Sequence, residues 1–143
     1  MEHVRIDISQ DLDGDAVVHA LFDLSPDEIA AAAHAVAATT GERFRMTDLS
    51  SDDVLKLREL TALTDELGEL TGGASTVVLK PARLSALRDA VIAFVESREQ
   101  AEWIREEDRQ PLALLREMLF PLEQLSAEAM RAALSPLEHR SHG

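Results

Sequence analysis

The sequence has no cysteine, no tyrosine and no asparagine, and its aromatic content is four phenylalanines and one tryptophan, Trp103. Each shortage excludes a chemistry. Without thiols there are no disulfides, no thiolate nucleophile and no cysteine-ligated zinc. With so few rings there is little surface on which unpaired bases could stack, as single-stranded nucleic acid requires. Positive charge is scarce too, giving a net charge of −13. Only Lys56 and Lys80 are lysines, and the arginines never form a tract. A phosphate backbone would be repelled, so no nucleic-acid partner is expected. No run approaches the roughly 18 apolar residues of a membrane span. The segment from Met1 to Ile8 alternates and is charged, unlike a signal peptide. A membrane partner is therefore not expected, and the cytoplasm is the default location.

What remains is an ordinary apolar share dominated by leucine and alanine. A chain of 143 residues fits one domain, since domains cluster at about 100–150 residues. It buries enough surface to need neither a metal nor a disulfide. The expected organisation is a single α+β domain over residues 1–135 and a flexible polar tail over 136–143.

Val4, Ile6 and Ile8 alternate with polar residues, and so do Val18, Ala20, Phe22 and Leu24. Alternation predicts strands with one buried face. The Asp- and Gly-containing segment between them predicts a β-hairpin. If Ser9 lies opposite Val17, Asp7 lies opposite His19 on the outer face. Ser25, Pro26 and Glu28 form a helix start with a capping box. That helix should bury Ile29, Ala32, Ala33 and Val36 and stop at Thr40-Gly41. Phe44 to Asp48 reads as a short strand. Ser50 or Ser51 caps a second helix, with Val54, Leu57, Leu60, Leu63, Leu67 and Leu70 along one face and Gly72-Gly73 at its end. Thr76 to Leu79 reads as another strand. Pro81 opens a third helix with a seam of Leu84, Leu87, Val91 and Phe94. Pro111 opens a fourth with Leu112, Leu115, Leu119 and Leu122. Pro121 should end or kink it, and Ser126 should start a last short helix. The fold class is mostly helical α+β: a small antiparallel sheet packed by amphipathic helices, with a C-terminal helical extension. Leu49-Ser50-Ser51 and Leu79-Lys80-Pro81 open similar segments 30 residues apart, an echo that helix capping alone can produce.

Reactive constellations are few. Asp11, Asp13 and Asp15 alternate like the opening of an EF-hand calcium loop. The glycine due at the sixth loop position is Ala16, and the carboxylate due at the twelfth is Phe22. A hairpin turn explains the same residues. Asp7 and His19 form a surface ion pair more readily than an oriented base. The histidines His3, His19, His34, His139 and His142 lack a zincin spacing, and His34 sits among alanines as a packing residue. No Gly-x-Ser-x-Gly elbow exists. The Gly72-Gly73-Ala74-Ser75 loop follows a helix, the wrong order for a phosphate cradle. No catalytic residue and no cofactor is expected.

The charge-dense stretch from Glu96 to Arg109 is the strongest functional candidate. Trp103 and Ile104, flanked by Arg98, Arg105 and Arg109, have the composition of an interface hot spot. Either they are exposed and meet a partner, or the next helix covers them. The expected function is a non-enzymatic, acidic protein-interaction or regulatory module that binds a protein partner or a second copy of itself. Two alternatives stand beside it. One is a metal-dependent hydrolase or calcium binder built on Asp7, Asp11, Asp13, Asp15 and His19. The other is an acidic inhibitor that mimics nucleic acid, which would concentrate carboxylates on one face.

Overall fold

A computed structural model describes residues 1–45, 48–70, 73 and 75–142, with side chains through residue 134. Two strands, β1 (Glu2–Gln10) and β2 (Ala16–Leu24), form the N-terminal hairpin. Ser9 pairs with Val17 and Asp7 with His19, the register expected from the alternation. The register slips between Glu2 and Arg5, where His3 takes a φ of 51°. A third strand, β3 (Ser75–Leu79), runs antiparallel to β2, giving the order β1-β2-β3.

Helix α1 (Pro26–Phe44) begins with the capping box read from the sequence, Ser25 and Glu28 satisfying each other's backbone amides. Helix α2 (Ser51–Glu69) has an equivalent box from Ser50 and Asp53. Helix α3 (Pro81–Glu99) starts after Lys80 with no side-chain cap, its Pro81 needing no amide partner. Helix α4 (Glu106–His142) is the C-terminal extension. The structure is thus a mostly helical α+β fold with a three-stranded antiparallel sheet.

One core joins the layers. Ala20, Phe22 and Leu24 of β2 and Val77 and Leu79 of β3 meet Ile29, Ala32 and Val36 of α1, Leu60, Leu63 and Leu67 of α2, and the whole expected seam of α3. Helix α4 closes it with Leu112, Leu115, Met118, Leu122 and Leu125. Each such leucine contributes about 1.5–3 kcal/mol relative to exposure.

Four expectations need correction. β1 does not bury its alternating face: Ile6 is half-buried, while Val4 and Ile8 are exposed, because β1 is the sheet's edge and the helical layer centres on β2. Helix α1 runs through Gly41 to Phe44, so Phe44 is helical rather than the start of a strand; Met46 and Thr47 lie outside the described residues. Gly41 has no positive φ, and Arg43, placed in the last turn where a cation is favourable, reaches Asp53 at 3.6 Å. Val54 on α2 is exposed and Leu70 only half-buried. Finally, α4 begins at Glu106 rather than at Pro111 and passes through both Pro121 and Ser126. An interior proline costs about 3 kcal/mol, but Met118, Leu122, Leu125 and Ala129 bury on the same side across it and outweigh that cost. The 30-residue echo reduces to helix starts: Leu79 ends a strand and is buried, whereas Leu49 is in no strand and is exposed.

Candidate functional site

The stretch singled out for its Trp and Arg residues lies where α3 hands over to α4. Trp103 is 75% exposed, so no later segment among the described residues covers it. Arg105 and Arg109 are exposed as well, Arg105 standing 3.6 Å from Glu107. Ile104 is half-buried and packs against the core, anchoring the connection behind Trp103. Arg98 points inward. Its Nε donates to Asp108 at 3.0 Å, and another guanidinium nitrogen donates to the Ser97 hydroxyl at 2.7 Å. Its guanidinium carbon stands 4.6 Å from the centre of the Phe94 ring, a cation–π contact. The structure therefore leaves Trp103, Arg105 and Arg109 exposed and draws Ile104 and Arg98 inward.

An open cleft of about 710 Å³ runs beside this surface, bounded by Ala38, Gly41, Arg45, Arg98, Trp103 and Arg105 among others. Arg98 and Asp108, which line it, belong to a polar cluster that the sequence did not disclose. Asp108, in the first turn of α4, is only 4% exposed. One of its oxygens accepts from Arg98 on α3, and the other lies 2.7 Å from Nε2 of His34 on α1. The His34 ring meets Phe94 edge-on at 5.4 Å. Burial alone would raise the Asp108 pKa; the hydrogen bonds from His34 and Arg98, with the Arg98 charge, overcome it and hold the carboxyl below its ordinary range. Three helices are thus tied at one carboxylate. One signal was available: Asp108 stands four residues before Leu112, in register with the buried face of α4.

The hairpin turn brings Asp11, Asp13 and Asp15 together, with one carboxylate oxygen from each within 4.8 Å of the others. All three residues are exposed. Oδ1 of Asp11 accepts from the backbone amides of Asp13 and Asp15 at 3.0 and 2.9 Å. Gly14 takes φ +82° and donates its amide to the Asp11 carbonyl. These bonds are those of a tight turn in which Asp replaces backbone partners. A calcium ion takes six to eight oxygens, about twice what these carboxylates offer as single ligands. Asp7 and His19 pair across the hairpin, on the face opposite buried Val18 and Ala20.

A second His–Asp contact was not foreseen. His3 Nδ1 lies 2.7 Å from Asp23, whose other oxygen accepts from the Thr76 hydroxyl at 2.5 Å. The Thr76 hydrogen bond, opposed by burial and aided by His3, lowers the Asp23 pKa. An open hollow of about 350 Å³ lies alongside. The hydroxyl donates to the carboxylate rather than to the imidazole, so the arrangement is not a nucleophile paired with its base. His139 and His142 lie beyond the described side chains.

Arginines elsewhere are interleaved with acids. Arg83 bonds Glu59 at 2.9 Å and also contacts Glu66, Arg116 bonds Glu99, and Arg88 bonds Asp89. No helix among the described residues is long and apolar enough to cross a membrane. Compared with protein-family models, curated proteins and solved structures, the chain matches none of them. The class defined by fold and site is therefore structural: an acidic, mostly helical α+β protein with an aromatic–arginine surface beside an open polar cleft.

Proposed function

We propose that this chain is an acidic protein-interaction module, regulatory or scaffolding in role, whose contact surface for a protein partner is centred on Trp103. One observation carries the reading: the only tryptophan of the sequence is 75% exposed at the rim of a cleft, held out by a connection whose neighbour Ile104 is anchored in the core. A large ring presented on an anchored base loses little conformational freedom on binding, which is why Trp and Arg dominate hot spots. The net charge of −13 would speed encounter with a partner carrying a positive field. Interleaved arginines speak against mimicry of nucleic acid, and a solvent-exposed hairpin turn offers a hydrolase no cleft.

The test compares wild-type protein with Trp103→Ala as bait in the native host. Binding of a specific partner should weaken by about 2–4 kcal/mol, roughly 30- to 1,000-fold in Kd, while the melting temperature stays within a degree or two. The single Trp also reports directly, since its emission should shift to the blue when the partner covers it. If the variant binds every captured protein as the wild type does, or melts far lower, the surface is not an interface.

A further inference from the structure

The two edges of the sheet differ. β1 carries a register slip between Glu2 and Arg5, with His3 at φ 51°, the kind of irregularity that discourages strand addition. β3 pairs with β2 in unbroken register from Ser75 to Leu79 and has no strand on its other side. The direction of its backbone groups follows from the hairpin. The Asp11 amide donates to the Asp15 carbonyl, so these two residues form a hydrogen-bonded pair. Such pairs alternate along an antiparallel ladder, which makes Ser9–Val17, Asp7–His19 and Arg5–Leu21 the next ones. Ala20, Phe22 and Leu24 then turn their backbone groups to β3, where they meet Leu79, Val77 and Ser75. Thr76 and Val78 are left with theirs pointing off the edge, and both residues are exposed.

Beside this edge lies a cavity of about 210 Å³ between β3 and the end of α2. Leu63 and Leu67 of α2, Leu70 at its cap, and Val77 and Leu79 of β3 line it, with Glu66 and Glu69 on the α2 side. The volume falls below the roughly 300–1,000 Å³ of small-molecule pockets and suits a side chain. Edge and cavity call for one occupant. Unpaired strand groups take an extended backbone, and a hollow beside them takes a side chain from every second residue. The acids add a sign. Glu69 has no ion pair among the described residues, and Glu66 shares Arg83 with Glu59.

We propose that the edge of β3 binds an extended peptide segment of a partner protein as a fourth strand. The residue opposite Val77 places an apolar side chain in the cavity between β3 and α2. Residues two positions to either side of it lie on the same face, where lysine or arginine meets Glu66 and Glu69. A second copy of this chain is the poorer occupant, because it would bring another net charge of −13 to these acids. β3 leads into the first turn of α3, whereas Trp103 lies just past its last, and 19 residues of helix span roughly 28 Å. The edge is therefore a separate surface from the one around Trp103, and neither proposal requires the other.

The probes are short, capped, fluorescein-labelled peptides with a central leucine, isoleucine or phenylalanine between two valines, and lysines outside them. Fluorescence anisotropy with the full chain should show submillimolar binding of at least one. Glycine at the centre should weaken it about 10- to 100-fold, and glutamates in place of the lysines should also weaken it. On the protein, Val78→Pro removes an amide that no ladder bond uses, so the fold should persist while peptide affinity falls about tenfold or more. Glu69→Lys should remove the preference for lysine over glutamate, and Trp103→Ala should change nothing. Amide hydrogen exchange reads the geometry directly. In the free protein Val77 should be protected while Thr76 and Val78 exchange fast, and the peptide should slow the latter two. Failure of every peptide to bind overturns the proposal. So does binding that ignores both Val78→Pro and Glu69→Lys, or that leaves exchange at Thr76 and Val78 fast. Protection of those two amides in the free protein that grows with protein concentration would give the edge to a second copy and overturn it equally.

Discussion

Replacing Asp108 by asparagine probes the tie between three helices, and its size can be worked from the geometry. The carboxylate is 4% exposed and accepts from both Arg98 and His34. Breaking a buried ion pair by removing one partner typically costs about 3–5 kcal/mol. Two features lower that figure here. The His34 side chain is 38% exposed, so water screens its share. Arg98 retains the Phe94 ring and lies 3.8 Å from Glu42. A loss of about 3 kcal/mol is expected at neutral pH, which lowers the melting temperature of a domain this size by roughly 9–12 °C. The pH dependence fixes the cause. The folded pKa of Asp108 lies below its ordinary value. Its stabilisation is therefore fully present above the unfolded value of about 4 and is lost as pH falls through the folded value. Thermal unfolding followed by circular dichroism from pH 7 to pH 3 should show the wild type and Asp108→Asn converging at the acid end, with a slope difference of at most about 1.4 kcal/mol per pH unit. A gap that stays constant with pH would show that lost packing, not lost charge, is responsible. A gap below about 1 kcal/mol would mean that the cluster holds little.

The hairpin turn separates a structural aspartate from two dispensable ones. Asp11→Ala removes the acceptor of two backbone amides and should lower the melting temperature by roughly 3–4 °C, from a loss of about 1 kcal/mol. Asp13→Asn relieves repulsion within the cluster and should leave stability unchanged or slightly raised. Calcium at millimolar concentration should not raise the melting temperature, because Oδ1 of Asp11 already serves two amides; a rise that grows with calcium and disappears in Asp13→Asn would restore the calcium reading by mass action.

Features governed by neighbours in sequence were legible. The hairpin register followed from two alternating runs, and the starts of α1 and α2 followed from Ser25, Glu28, Ser50 and Asp53, whose bonds span three residues. The seam of α3 was legible because its period is helical and unbroken. Where tertiary packing overrode a local signal, the reading failed. Pro121 and Gly41 disfavour helix locally, yet α4 and α1 pass through them on the strength of buried side chains before and after. Val4 and Ile8 have the pattern of a buried strand face, but burial depends on what lies above the strand, and β1 is an edge. The joining of His34, Arg98 and Asp108 spans up to 74 positions and could not be read as a pair. The hint was local all the same: an acid at a position of α4 where its period demands an apolar residue. The surface of Trp103, Arg105 and Arg109 was legible as composition, whereas its exposure was decided by the path of residues 100–105.

The buried cluster depends on how α4 is turned about its axis. With Asp108 and the leucines facing inward, Phe120 and Leu134 face outward; a turn of one residue, about 100°, would carry Asp108 away from His34 and Arg98 and swing Phe120 towards the flank. A basic partner docking beside Trp103 meets a chain of net charge −13, so added salt should weaken it as the screening length shrinks from about 10 Å at 0.1 M to about 3 Å at 1 M. An affinity that holds or rises over that range would show that the acidic field plays no part in the association.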